Sequence, residues 1–231
     1  MIKDIGQKLW VKRLYFRRTE MERILFLSCS FSILLWAIRF IATGSLMHGF
    51  LIWNLFLAYI PYRITNYLDK AVSKIKDRVT FWLIFFSWLL FIPNSFYIIT
   101  DLFHLDEGRS APQWYDLALI FSFAWNGIIL GILSLHKMER VIEEKFNRKI
   151  KLLFIYGIMW LNALGIYIGR YLRFNSWDII TNPFGLTADI VYLCVHPFRN
   201  FMEWAMIFCF SVLMTFIYLM IIRLNKDMQN R

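Results

Sequence analysis

Long apolar runs, most of them flanked by charged residues, recur along this chain. They cover residues 24–43, 46–62, 79–100, 115–135, 152–171 and 201–222, approximately. A helix needs about 20 mostly apolar residues to cross the hydrocarbon core of a bilayer. These runs are far longer than strands and show no sustained period of two. Helices also satisfy their own backbone hydrogen bonds in lipid, as a span must. The pattern therefore predicts an all-α membrane protein: a six-transmembrane-helix bundle forming a single membrane domain over residues 1–231. The second run is the weakest, short and ended by Pro61. Between the fifth and sixth runs, Asn182-Pro183 suits a helix start, and Leu186 to Val195 is apolar apart from Asp189. That stretch predicts a short extracytoplasmic interfacial or re-entrant helix.

The loops set the direction. Basic residues crowd ahead of the first run (Lys3 to Arg23), between the second and third (Arg63 to Arg78), between the fourth and fifth (Lys137 to Lys151), and in the tail (Arg223, Lys226, Arg231). These loops hold 21 of the 26 Lys and Arg residues. Arg109, Arg170, Arg173 and Arg199 fall on the other side, and Arg39 lies within the first run. Cytoplasmic loops carry the Lys/Arg excess, so both the N- and C-termini are expected in the cytoplasm, with the chain in the cell membrane. Arg39 is close enough to the outer end of its run to snorkel there. The first run exceeds the 7–15 residues of a signal-peptide core and reads as an uncleaved anchor.

Composition agrees with a lipid setting. Hydrophobic residues make up 59% of the chain, against about 45–50% in an ordinary soluble domain. The net charge of +10 belongs to short loops beside an anionic leaflet, so membrane lipids are the expected partner and nucleic acid is not. Cys29, Cys194 and Cys209 offer no paired spacing for a disulfide framework or a zinc site. Gly127-x-x-x-Gly131 and Gly165-x-x-x-Gly169 allow helices to approach closely, either within one chain or in a homodimer.

Polar residues of unusual kind gather at the extracytoplasmic ends of the runs. On an α-helix at 100° per residue, Asn94, Tyr97, Asp101 and His104 fall within an arc of about 80°. Polar groups in a span face the bundle interior or a water-filled cavity. Asp101 and His104 are thus candidate acid–base residues, and Asp116, at the start of the next run, is placed to join them. The same set suits a divalent metal as cofactor, with the metal and its ligands left open. Arg170 and Arg173, one turn apart, form a cationic fork suited to phosphate or carboxylate. The alternative is that they pair with Asp101, Asp116, Asp178 or lipid headgroups. Asn175, Trp177, Asp178 and His196 complete the candidate binding residues, while His48 and His136 look ordinary.

Three segments carry a family resemblance: Pro93-Asn94-Ser95-Phe96-Tyr97-Ile98-Ile99-Thr100-Asp101-Leu102-Phe103-His104, Trp114-Tyr115-Asp116, and Gly169-Arg170-Tyr171-Leu172-Arg173-Phe174-Asn175-Ser176-Trp177-Asp178. In these the chain resembles the DUF1361 family of uncharacterised bacterial multi-pass membrane proteins. The resemblance implies a bacterial inner-membrane protein and brings no activity, site residue or cofactor with it. The residues themselves favour a membrane-embedded enzyme at the extracytoplasmic interface, acting on a lipid-linked or phosphate-bearing substrate. A small transporter or channel subunit and a non-catalytic envelope scaffold are the alternatives.

Overall fold

A computed structural model describes residues 2–71, 75, 77–105, 110–147, 150 and 152–229, with the side chains of 2–19 and 225–229 outside the description. Among the described residues there are eight α-helices and no strand. They are α1 (Ile2–Thr43), α2 (Phe50–Ala71), α3 (Arg78–Tyr97), α4 (Gln113–Phe146), α5 (Leu152–Arg170), α6 (Asp178–Thr181), α7 (Pro183–Val195) and α8 (Phe201–Gln229). A 3-10 turn over Ile98–His104 extends α3. Five segments are long and apolar enough to cross a membrane: Glu20–Thr43, Arg78–His104, Gln113–Phe146, Leu152–Arg170 and Phe201–Leu224. The chain is a multi-pass membrane protein.

Helix boundaries follow local chemistry. Gly44 ends α1 at a φ of 65°, the left-handed conformation glycine adopts without a Cβ penalty, and its N–H reaches the Phe40 carbonyl. The 44–49 stretch is a turn, with His48 also at positive φ (62°). The second helix therefore begins at Phe50, where the hydrophobic pattern places it from 46. It runs on past Pro61 to Ala71, nine residues beyond the expected stop. Thr65 Oγ1 donates into the Pro61 and Tyr62 carbonyls, and Asn66 and Asp69 find partners on α4. Polar side chains that would be costly in lipid are thereby paired inside the bundle. Asp77 caps α3, accepting from the Val79 and Thr80 backbone N–H groups.

Helix α4 is the centre. One core cluster joins it to α3, α5 and α8 through Trp88, Phe96, Met138, Met159, Ile207 and Tyr218. A second joins it to α1 and α2 through Leu25, Leu51, Leu55, Leu119 and Phe123. The glycine pairs work within the chain. A Cβ on Gly127 would stand 2.7 Å from the Ser95 carbonyl oxygen, and one on Gly131 would stand 2.9 Å from the Phe96 ring. On α5, a Cβ at Gly165 would meet the Pro93 ring at 2.7 Å. Both motifs let a neighbour settle against α3, the close approach that small residues permit in membranes.

Helix α7 has 13 residues, about 20 Å at 1.5 Å per residue, too short to cross a 30 Å core. Asn182 caps it and Pro183 occupies its first turn. Leu193 is its buried residue; Phe184, Val191, Tyr192 and Val195 are exposed.

Candidate functional site

The 3-10 turn after Tyr97 decides where the candidate residues go. On a continued α-helix Asp101 would stand about 40° from Tyr97; with three residues per turn it stands about 120° away. Asp101 and His104, three apart, remain aligned, but they leave the face that carries Asn94 and Tyr97. The expected single polar stripe is therefore split into two, because the backbone tightens where the sequence pattern assumes uniform α geometry.

Asp101 and His104 belong to a polar cluster with residues from two other helices. Asp101 is 1% exposed; it accepts from Asn54 Nδ2 of α2 at 2.8 Å and lies 3.8 Å from Arg170 Nη1 at the end of α5. Arg170 Nη1 also lies 2.7 Å from His104 Nε2. A guanidinium has only donors, so His104 Nε2 accepts in this bond. The Arg170 guanidinium lies 5.5 Å from the Phe103 ring centroid. Arg170 is turned inward by these partners. Arg173 is exposed in a left-handed turn (φ 59°) and makes no ion pair among the described residues, so the two arginines do not share a bound partner in this arrangement.

Asp116 sits in an adjoining cluster. Arg39 of α1 donates to it twice, Nε to Oδ1 at 2.6 Å and Nη2 to Oδ2 at 3.1 Å. Both residues are 2% exposed. Arg39 therefore does not snorkel; a buried carboxylate and Ser110 Oγ, at 3.1 Å, hold it inside. His48 Nε2 approaches Asp116 Oδ2 only to 3.7 Å, and neither ring nitrogen of His48 has a hydrogen-bond partner. The Phe50 ring stands between the clusters, edge-on to His48 at 6.1 Å and to His104 at 5.2 Å.

Asn94 and Tyr97 face elsewhere, onto a cavity of about 670 Å³ between α2, α3, α5 and the 174–190 segment. Trp53, Asn54, Phe86, Pro93, Gly165 and Ile190 are among its walls. Trp53, Leu83 and Phe86 on its rim are 52%, 65% and 59% exposed, so it is a groove open through the apolar flank of the bundle. Asn94 Nδ2 donates to the Phe91 carbonyl and to Ser176 Oγ, each at 3.0 Å. Asn54 belongs to both places: it lines the groove and donates to Asp101.

The remaining candidates have local partners. Asp178 accepts from the Asn175 backbone N–H at 2.6 Å and from Thr181 Oγ1 at 2.7 Å. These bonds hold its carboxyl below the ordinary carboxylate range. Asn175 lines the groove, while Trp177 is exposed beside it and precedes α6. His196 ends α7 tilted against the Tyr192 ring, centroids 4.6 Å apart, with Nδ1 3.3 Å from the Tyr192 carbonyl oxygen. Residues 106–109, including Arg109, lie outside the described residues. No three His, Cys, Asp or Glu side chains gather as a metal site among the described residues.

Two groups that sequence reasoning passed over matter here. Asn54 is a lone amide in the weakest apolar run, and polar groups in a span mark functional or packing sites. His48 reads as ordinary until the turn at 44–49 folds it under Asp116. The mid-span amides Asn126 and Asn162 have separate partners: Asn126 donates to Ser32 Oγ of α1, and Asn162 to Met159 Sδ.

The family described as Protein of unknown function (DUF1361) matches residues 53–221. No curated protein and no solved structure matches the chain.

Proposed function

The chain belongs to the DUF1361 family, whose description names no activity, and we propose from its site that it is a membrane-embedded enzyme working on a lipid-linked substrate at the extracytoplasmic interface. The observation that carries this reading is the groove. It opens through the apolar flank of the bundle, and Asn54 in its wall donates to the buried Asp101. A lipid tail fits the apolar walls, and its volume falls in the range of about 300–1,000 Å³ usual for ligand sites. The polar end of the substrate then meets Asn54, and behind it Asp101 supplies general acid–base chemistry. Arg170 stands 3.8 Å from that carboxylate and 2.7 Å from His104 Nε2, and so ties the two side chains into one cluster.

The topology that goes with this is six spans, with α2 as the sixth. Its 22 residues measure about 33 Å, and Asn54, Asn66 and Asp69, which lower its apolarity, are paired within the bundle. An even number of crossings puts both termini on one side, the cytoplasmic side by its Lys/Arg excess. The Asp101 cluster and the interfacial helix α7 then share the opposite side.

The test compares lipid extracts, by mass spectrometry, from cells producing the wild-type chain, Asp101→Asn or His104→Gln at equal protein level. Loss of one lipid species, or accumulation of its precursor, in both variants supports the enzyme. Identical lipid profiles for all three chains remove it.

A further inference from the structure

The groove also says what kind of headgroup it takes, an inference that rests on its being the substrate site. Among the described residues no Asp, Glu, Lys, Arg or His lines it. Its polar surface comes from Asn54, Asn94, Asn175, Tyr97, Ser87 and Ser176. What these groups have left to offer depends on the bonds they already make.

The two amides on α2 and α3 are oriented by partners that only accept. Asn54 must turn its NH₂ toward the Asp101 carboxylate, and Asn94 must turn its NH₂ toward the Phe91 carbonyl. Asn94 spends its second N–H on Ser176 Oγ. Ser176 in turn donates toward the Leu90 carbonyl, and Ser87 donates to the Leu83 carbonyl. These bonds leave one Asn54 N–H and the Tyr97 O–H free to donate. Among the described residues the carbonyl oxygens of Asn54 and Asn94 accept no hydrogen bond, and the Tyr97 hydroxyl has no partner. None of the three is among the buried unpaired atoms, so each is reachable from the groove.

A wall of two free carbonyl oxygens, a hydroxyl and an amide N–H, with no cation among the described residues that line it, is a poor surface for a phosphate, which only accepts hydrogen bonds and carries negative charge. It suits hydroxyl groups, which both donate and accept. We infer that the groove binds a lipid whose headgroup is uncharged and rich in hydroxyls, a sugar or polyol, with Asn54 Oδ1, Asn94 Oδ1 and Tyr97 OH as the recognition atoms. Exposed cations such as Arg173 and Arg199 stand outside the groove's lining. A phosphate carried by the same lipid therefore belongs beyond the groove's end and not within it.

Retention measured by native mass spectrometry tests this. The full chain is purified in lauryldimethylamine oxide, a detergent without a sugar, and offered diglucosyl diacylglycerol or phosphatidic acid with the same acyl chains. The glycolipid should be retained more strongly. Tyr97→Phe keeps the ring that packs on Gly169 and removes only the hydroxyl; it should weaken glycolipid retention about 3- to 10-fold, the worth of one net hydrogen bond. Asn94→Leu should act in the same direction, and phosphatidic acid should be unaffected by either. Equal or stronger retention of phosphatidic acid, or a Tyr97→Phe chain that holds the glycolipid as well as wild type, overturns the headgroup assignment and leaves the groove as a lipid site. Failure to retain either lipid overturns the assignment together with the groove's role.

Discussion

Taking away the Asp116 carboxylate leaves the Arg39 guanidinium stranded, and the size of that effect can be worked from the geometry. Asp116 accepts two charge-assisted bonds, at 2.6 and 3.1 Å, from a residue as buried as itself. Such bonds contribute about 1.5–3 kcal/mol each, and breaking a buried ion pair from one side costs about 3–5 kcal/mol because the remaining charge has no counter-ion. Asp116→Leu and Arg39→Met should each lose that much. The double variant removes both charges and replaces them with apolar groups of similar size, an exchange that is neutral or stabilising in buried pairs. It should therefore lie within about 1 kcal/mol of wild type or above it. At about 2–4 °C per kcal/mol for a chain of this size, the single variants melt about 10 °C low and the double variant does not.

Thermal melts in lipid nanodiscs, followed by tryptophan fluorescence, measure this directly. Single losses that simply add in the double variant would refute the reasoning, since they would mean each residue stabilises the fold without the other. The same chains bear on chemistry. A double variant that melts like wild type and still converts lipid assigns Asp116 to holding α1 against α4. One that melts like wild type and is inactive returns Asp116 to the reaction.

Two further outcomes follow from local geometry. Gly127→Ala should cost about 1–3 kcal/mol, the usual penalty for overpacking, because its Cβ would press on the Ser95 carbonyl oxygen. Gly157→Ala meets nothing within 4 Å and should be neutral or stabilise by up to about 1 kcal/mol; equal melting temperatures for the two would count against the α3–α4 contact. Asp178, titrated by carbonyl-carbon NMR, should ionise below the model-peptide value of about 3.9. Its folded value is depressed, so the turn it ties together is intact above the ordinary carboxylate range and loosens as pH falls through the lowered value. Thr181→Ala should move the titration back up, and an unshifted titration in wild type would contradict the Asn175 and Thr181 bonds.

How much of this was legible in the sequence depended on which physical signal each feature leaves. Five apolar runs stand out by hydropathy because their outward faces are apolar whatever they pack against. Helix α2 reads weakly because Asn54, Asn66 and Asp69 are polar for internal reasons, and hydropathy cannot distinguish a paired polar group from a solvated one. The inward contacts of the glycine motifs were one of two readings the spacing allowed; only the distances to Ser95, Phe96 and Pro93 select it. The clustering is half legible. Asp101, His104 and Arg170 stand out in the sequence as rare polar residues at span ends, and they are neighbours in the fold. Asp116 was picked out by the same rule but joins Arg39, since which carboxylate a buried arginine finds depends on helix rotation. The separation of Asn94 and Tyr97 from Asp101 follows from a 3-10 turn that no residue in Ile98-Ile99-Thr100 announces.

The two buried carboxylates differ in a way that bears on which of them can do chemistry. Asp116 has both oxygens tied to one guanidinium, and any substrate group that replaced Arg39 would have to offset about 3–5 kcal/mol. Asp101 is held differently: one neutral amide bond from Asn54, with Arg170 no closer than 3.8 Å. A neutral hydrogen bond contributes about 1 kcal/mol net, and a substrate hydroxyl that displaces the Asn54 amide returns a bond of the same kind. Exchange at Asp101 is therefore close to isoenergetic, and the group displaced is the one that already lines the groove. Under the enzyme reading the chain has placed its exchangeable carboxylate behind the lipid-facing cavity and its locked one at the seam with α1. On that ground Asn54→Leu, which takes one polar group from the groove and strips Asp101 of its hydrogen bond, should depress turnover more than glycolipid retention, whereas Tyr97→Phe should depress retention first. Equal losses of both quantities in the two variants would mean that Asn54 serves only to bind.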